Sequence, residues 1–101
     1  MATVAFSPKA LRDLMAIGDY IARDNRVNAS RFVDKLVAQC ERIGHAPMAY
    51  ASREELVPGL RAAPIDRYVI YFRVDGTRVR IERVLHGARD LKTLFKQGRA
   101  D

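Results

Sequence analysis

Six side chains in the second half of this chain are suited to gripping anions: Arg61, Arg67, Arg73, Arg83, His86 and Arg89. A guanidinium offers a planar fork of donors that pairs with carboxylate or phosphate, and an imidazole titrates near neutrality. Cutting RNA by 2′-hydroxyl attack would need more than cations. One group must take a proton and another must give one. Arginine is too basic for either task, so that work would fall to His86, a tyrosine or a lysine. His86 stands before Gly87 at the end of an apolar run, where a strand end and a turn account for it without a substrate. The arginines are therefore candidate contacts to a target or partner, and no residue is assigned a catalytic role.

Other chemistries lack their residues. His45 and His86 lie far apart with no cysteine or carboxylate cluster beside them, so no metal site is expected. No phosphate-cradling glycine loop or Ser-His-Asp arrangement is present, and no cofactor is implied. Asp13, Asp19 and Asp66 read as ordinary caps or surface ion pairs. Cys40, the only cysteine, sits among Leu36, Val37 and Ile43 as a small buried hydrophobe, which suits a reducing compartment.

The 101 residues carry a net charge of +6, which favours acidic partners without choosing among them. That length fits one domain, expected over residues 1–97 with a flexible tail at 98–101. No basic-then-apolar leader opens the sequence and no apolar run would span a bilayer, so a cytoplasmic protein without membrane contact is expected.

The elements that must position the arginines follow from pattern. Residues 3–6 form a short apolar strand ending at Ser7-Pro8, an N-cap followed by a first-turn proline. Leu11, Leu14, Met15, Gly18, Ile21 and Ala22 then recur at helical spacing over residues 8–23. Gly18 lies on that stripe, where a second helix could approach closely. Asn28 is expected to cap this second helix, which ends at residue 43 with Gly44 as its stop. A loop over residues 45–59, with one helical turn near residues 52–56, leads to a weak strand over 60–65 interrupted at Pro64. A strong strand over 67–74, an Asp75-Gly76 turn and a strand over 78–85 follow, with a bulge near Arg83 and a short helix over 88–95. The expected fold is α+β: a strand, an antiparallel helical hairpin, and a mainly antiparallel four-stranded sheet in the order β-α-α-β-β-β, with a short C-terminal helix.

Taken in this order, several segments carry a family resemblance. They are Ser7-Pro8 with Leu11-Arg12-Asp13-Leu14, Ile17-Gly18-Asp19-Tyr20-Ile21, Pro58-Gly59-Leu60-Arg61, Arg67-Tyr68-Val69-Ile70-Tyr71-Phe72-Arg73-Val74, and Arg83-Val84-Leu85-His86-Gly87-Ala88-Arg89-Asp90-Leu91. The chain resembles the ParE branch of the ParE/RelE toxins. The resemblance implies a RelE/ParE-like fold and a toxin of a type II toxin–antitoxin pair, held in a hetero-oligomer by a ParD-like antitoxin. It implies DNA gyrase as the target, blocked without covalent chemistry by the toxin, and no direct specific nucleic-acid binding by the free toxin. RelE relatives instead cut mRNA on the ribosome with basic residues on the concave sheet and a terminal acid–base residue. This sequence has Phe95 where those nucleases tend to carry a tyrosine or another ionisable group, so a binding-type inhibitor is the first expectation and a ribosome-dependent endonuclease the alternative.

Overall fold

The computed structural model describes residues 3–87 together with Arg89, Leu91, Leu94 and Phe95. Strand β1 (Thr3–Phe6) leads into helix α1 (Pro8–Ala22) through Ser7. The Ser7 hydroxyl accepts the Ala10 amide at 2.9 Å, the N-cap bond expected of Ser-Pro. Helix α2 (Arg26–His45) is capped by Asn25, whose side chain accepts the Asn28 amide at 3.0 Å. This corrects the expected start: of the two asparagines, the first takes the cap and the second donates to it. The end also differs, because Gly44 remains helical and buried, and the helix stops ahead of Pro47.

The two helices lie together at Gly18. A Cβ there would sit 3.3 Å from Val33 Cγ2 of α2, so the missing side chain is what admits the second helix. A 3₁₀ turn (Pro47–Ala49) and strand β2 (Ala51–Ser52) follow, then β3 (Leu60–Ile65), β4 (Tyr68–Asp75) and β5 (Arg78–His86). The sheet has five strands in the order β1-β5-β4-β3-β2. The extra strand, β2, is two exposed residues held by pairing to Ala62 and Arg61, a length at which no apolar alternation can show in sequence. The helical turn expected near residues 52–56 is a single turn over residues 53–57, in which Leu56 N and Val57 N both donate to Arg53 O, at 3.0 and 3.5 Å. Strand β3 runs through Pro64 unbroken, with the ring exposed where β2 no longer pairs.

The remaining pairings are antiparallel except for β1, which lies parallel to β5. Gly76 takes φ +60° and, with Thr77, forms the two-residue loop between β4 and β5. Asp66, in the β3–β4 loop, takes φ +53°, a conformation aspartate tolerates better than most residues. The register shifts opposite Tyr71 and Phe72, which pair with Arg83 and Ile81, so Glu82 is the extra residue of the bulge expected there.

One core lies between the hairpin and the sheet, built on Leu14, Ile17, Leu36, Cys40, Ile43, Ile70, Phe72, Val79, Ile81 and Val84. A second, smaller cluster covers part of the other face: Leu56, Leu60, Ala62, Tyr71, Leu85 and Phe95, with Leu91 and Leu94 against it. Of the short helix expected over 88–95, Leu91, Leu94 and Phe95 are described and supply this second cluster. The expected tail at 98–101 lies outside the described residues.

Candidate functional site

β1 ends at Phe6, opposite Ile81, while β5 continues to His86, so the second half of β5 has no strand on its outer side among the described residues. Helix α1 takes that place. Ser7 N donates to Ile81 O at 2.9 Å, the Ser7 hydroxyl donates to Glu82 O at 2.7 Å, and Asp13 Oδ2 accepts the Val84 amide at 3.0 Å. Asp13 also receives both arms of Arg83, Nε at 2.8 Å and Nη2 at 2.9 Å. The pair is mostly shielded, with 14% of the Asp13 side chain exposed and 19% of Arg83. The Asp13 carboxylate hydrogen-bonded to the guanidinium raises the Arg83 pKa above its ordinary value, against the opposing effect of burial. Asp13 is thus no surface ion pair: it seals a strand edge and fixes a cation.

Two grooves flank this junction. The first crosses the sheet face opposite the helices. Its lining includes Lys9 and Arg12 from the start of α1, Arg73 from β4, Arg80 and Arg83 from β5, and Phe95, around a volume of about 430 Å³. Arg73 and Arg80 are directly opposite across β4 and β5, an arrangement that is repulsive unless an anion joins them. Arg80 is held by Glu82 at 2.6 Å, whereas Arg73 makes no ion pair among the described residues. Tyr71 lies beneath, 1% exposed, its ring 5.1 Å from that of Phe95. Burial pushes its pKa up, with the neighbouring Arg53 opposing, so the phenol holds its proton.

The second groove, also about 430 Å³, lies at the other end of the junction, between the later turns of α1, the β3–β4 loop and the end of β5. Ala16, Ile17, Val84 and Leu85 contribute apolar surface; Tyr20, Tyr68, Arg67, His86 and Arg89 stand around them. Tyr68 meets His86 edge to face at 5.5 Å and Phe32 at 5.4 Å.

The six expected contact residues are therefore not gathered on one surface. Arg67, His86 and Arg89 share the second groove, and Arg73 and Arg83 the first. Arg61 lines neither: its Nη1 donates to Tyr50 O at 2.7 Å, tying β3 to the residue that precedes β2. The sequence reading passed over Lys9, Arg12 and Arg80. Arg80 had a signal, since it alternates with Val79 and Ile81, but Lys9 and Arg12 reach the groove only through the packing of α1 along β5. Among the described residues no cluster of metal-ligating side chains occurs, and no helix is long and apolar enough to cross a membrane.

A family model described as the ParE toxin of type II toxin-antitoxin system, parDE, matches residues 4–91. This chain belongs to the ParE toxin family. Two solved structures are similar to this ParE toxin over most of its length. A chain of the chromosomal ParDE system from P. aeruginosa is 28% identical, with 85% of this chain and 96% of that chain covered and a TM-score of 0.74. A chain of the toxin–antitoxin complex RelBE2 from Mycobacterium tuberculosis is 27% identical, with 84% and 96% covered and a TM-score of 0.65. None of the curated proteins matches the toxin at a significant level. The expected RelE/ParE-like fold is the observed one, with one short edge strand more than the sequence indicated.

Proposed function

We propose that this ParE toxin acts by binding, that its target is DNA gyrase, and that a ParD-like antitoxin neutralises it in a cytoplasmic hetero-oligomer. The observation carrying the binding reading is the chemistry of the open-face groove. Its cations could hold an anionic surface, but the aromatic side chain in its described lining is Phe95, which cannot ionise, and Tyr71, packed edge-on against Phe95, is 1% exposed. His86 lies in the other groove, away from Arg73 and Arg80. The likeness to a ParDE system favours a ParD-like partner, and a net charge of +6 favours an acidic one. Arg67, Arg73 and Arg89 are offered as contacts, because Arg61 and Arg83 already hold internal acceptors.

A supercoiling assay with purified gyrase is the test. Supercoiling should fall as toxin is added and recover when a ParD-like antitoxin is supplied; full supercoiling in excess toxin would overturn the reading. The likeness to RelBE2 and the open-face arginines favour a second reading, a ribosome-dependent mRNA endonuclease. Cleavage of ribosome-bound message that disappears with Arg73→Ala or Arg89→Ala would establish that alternative in its place.

A further inference from the structure

The second groove combines features that neither a catalytic role nor simple packing requires. Tyr20 is 66% exposed on α1, and the Arg23 guanidinium lies 6.0 Å from its ring centroid. A tyrosine so exposed adds nothing to either core, yet it stands beside Tyr68 and His86 around apolar surface from Ala16, Ile17, Val84 and Leu85. Arg67 and Arg89 are exposed on the same rim and make no ion pair among the described residues. Among the described residues the one carboxylate in the lining, Asp13, is already engaged by Arg83 and the Val84 amide, so it offers little repulsion to an incoming anion.

We propose that this groove, formed by Tyr20, Tyr68, His86, Arg67 and Arg89, binds single-stranded nucleic acid without sequence preference, stacking a base on the exposed aromatic surface while the arginines hold the flanking phosphates. Aromatic faces interleaved with guanidinium groups are the usual means of holding an unpaired strand. An acidic peptide would use the arginines but would leave the aromatic surface without a function. A volume of about 430 Å³ lies in the range of small-molecule sites, enough for a nucleotide-sized group. The groove is separate from the open-face arginines, and its function does not depend on which macromolecule the toxin arrests. For a toxin whose target is an enzyme that handles DNA, such a groove would let it recognise the target with its DNA exposed.

Fluorescence anisotropy of the purified full-length toxin with labelled oligothymidylate, and in parallel oligouridylate, tests this without gyrase, so its outcome is independent of the supercoiling assay. Binding to either strand is expected, and the preferred one identifies the strand type. Tyr20→Ala should weaken it about tenfold and Tyr20→Phe should restore it, as stacking demands. Arg67→Ala should reduce the slope of log affinity against log salt by about one, the effect of a single lost phosphate contact. Arg73→Ala, on the other groove, should change little. No binding of either strand, affinity indifferent to Tyr20→Ala, or equal displacement by polyglutamate, which would mark a site for acidic peptides, would each overturn the proposal. Tyr20 and Arg67 are exposed, so these variants should fold, and an unchanged circular dichroism spectrum verifies it.

Discussion

Replacing Asp13 by Ala would leave the Arg83 guanidinium mostly buried with no counter-charge and the Val84 amide with no acceptor. A loss of about 2–4 kcal/mol is expected, near the lower end for breaking a buried pair because both partners keep some solvent contact. Arg83→Met should cost less, since Asp13 would still accept the Val84 amide; urea denaturation of both variants checks the order. Cys40, 1% exposed, is the second residue with a measurable signature. Burial, with a smaller contribution from Glu41, raises its thiol from 9.0 to about 12. A folded-state pKa above the unfolded value means the thiol's contribution to stability is complete below pH 9 and is lost as pH rises towards 12. Two consequences follow: a thiol reagent at pH 8 should label Cys40 only after unfolding, and Cys40→Ala should flatten the alkaline limb of stability against pH. Cys40 as a buried hydrophobe was legible from its neighbours in sequence. Asp13 was not, because its partner Arg83 is 70 positions away and nothing local distinguishes it from an exposed carboxylate.

Ser7 works at the scale of elements, since one hydroxyl ends a strand, starts a helix and satisfies the carbonyl of a bulge. Ser7→Ala would remove the α1 cap and leave the Glu82 carbonyl without its donor, both at a buried site. Capping losses and unsatisfied buried groups are each worth about 1 kcal/mol or more, so a loss of about 2 kcal/mol is expected in thermal or urea unfolding. Gly18 sets the approach of the two helices. A leucine there would meet Val33 and force the hairpin apart, costing about 1–3 kcal/mol by overpacking, while Gly18→Ala should be near neutral because better helix propensity offsets the squeeze. Comparing their melting temperatures separates close approach from propensity. Both functions were announced by sequence, Ser-Pro as a cap and glycine on an apolar stripe. The cap of α2 falls three residues before the expected Asn28 because both asparagines are chemically able to cap, and only the backbone path, extended at Asn25, decides which one does.

At the scale of the whole molecule, the described residues cover the sheet on one face with the hairpin and only partly on the other. Phe95 holds that second cover in place, 8% exposed and edge-on to Tyr71. Phe95→Ala should cost about 2–4 kcal/mol and expose Tyr71, so its phenol should titrate closer to its ordinary value, an outcome readable by ultraviolet difference spectra. The same partial cover leaves Arg73 and Arg80 facing each other in the open, which is what makes this face a candidate for an anionic surface.

The sequence by itself determined the two helices, four of the five strands, their order, the bulge and the family, although Leu11 and Met15, placed on the apolar stripe of α1, are exposed. Those are local properties: periodicity, caps and turn residues act over a few positions, and the motifs of the family are continuous stretches. Tertiary structure alone decided which arginines are available. It placed α1 along the open edge of β5, so that Arg83 is held by Asp13 while Lys9 and Arg12 join Arg73, and it turned Arg61 towards Tyr50 O. It also assembled the second groove from residues spread between Asp13 and Arg89. The physical reason is the same in each case: a guanidinium is free or engaged according to the acceptor that lies within about 3 Å of it, and that distance is set by packing between distant segments.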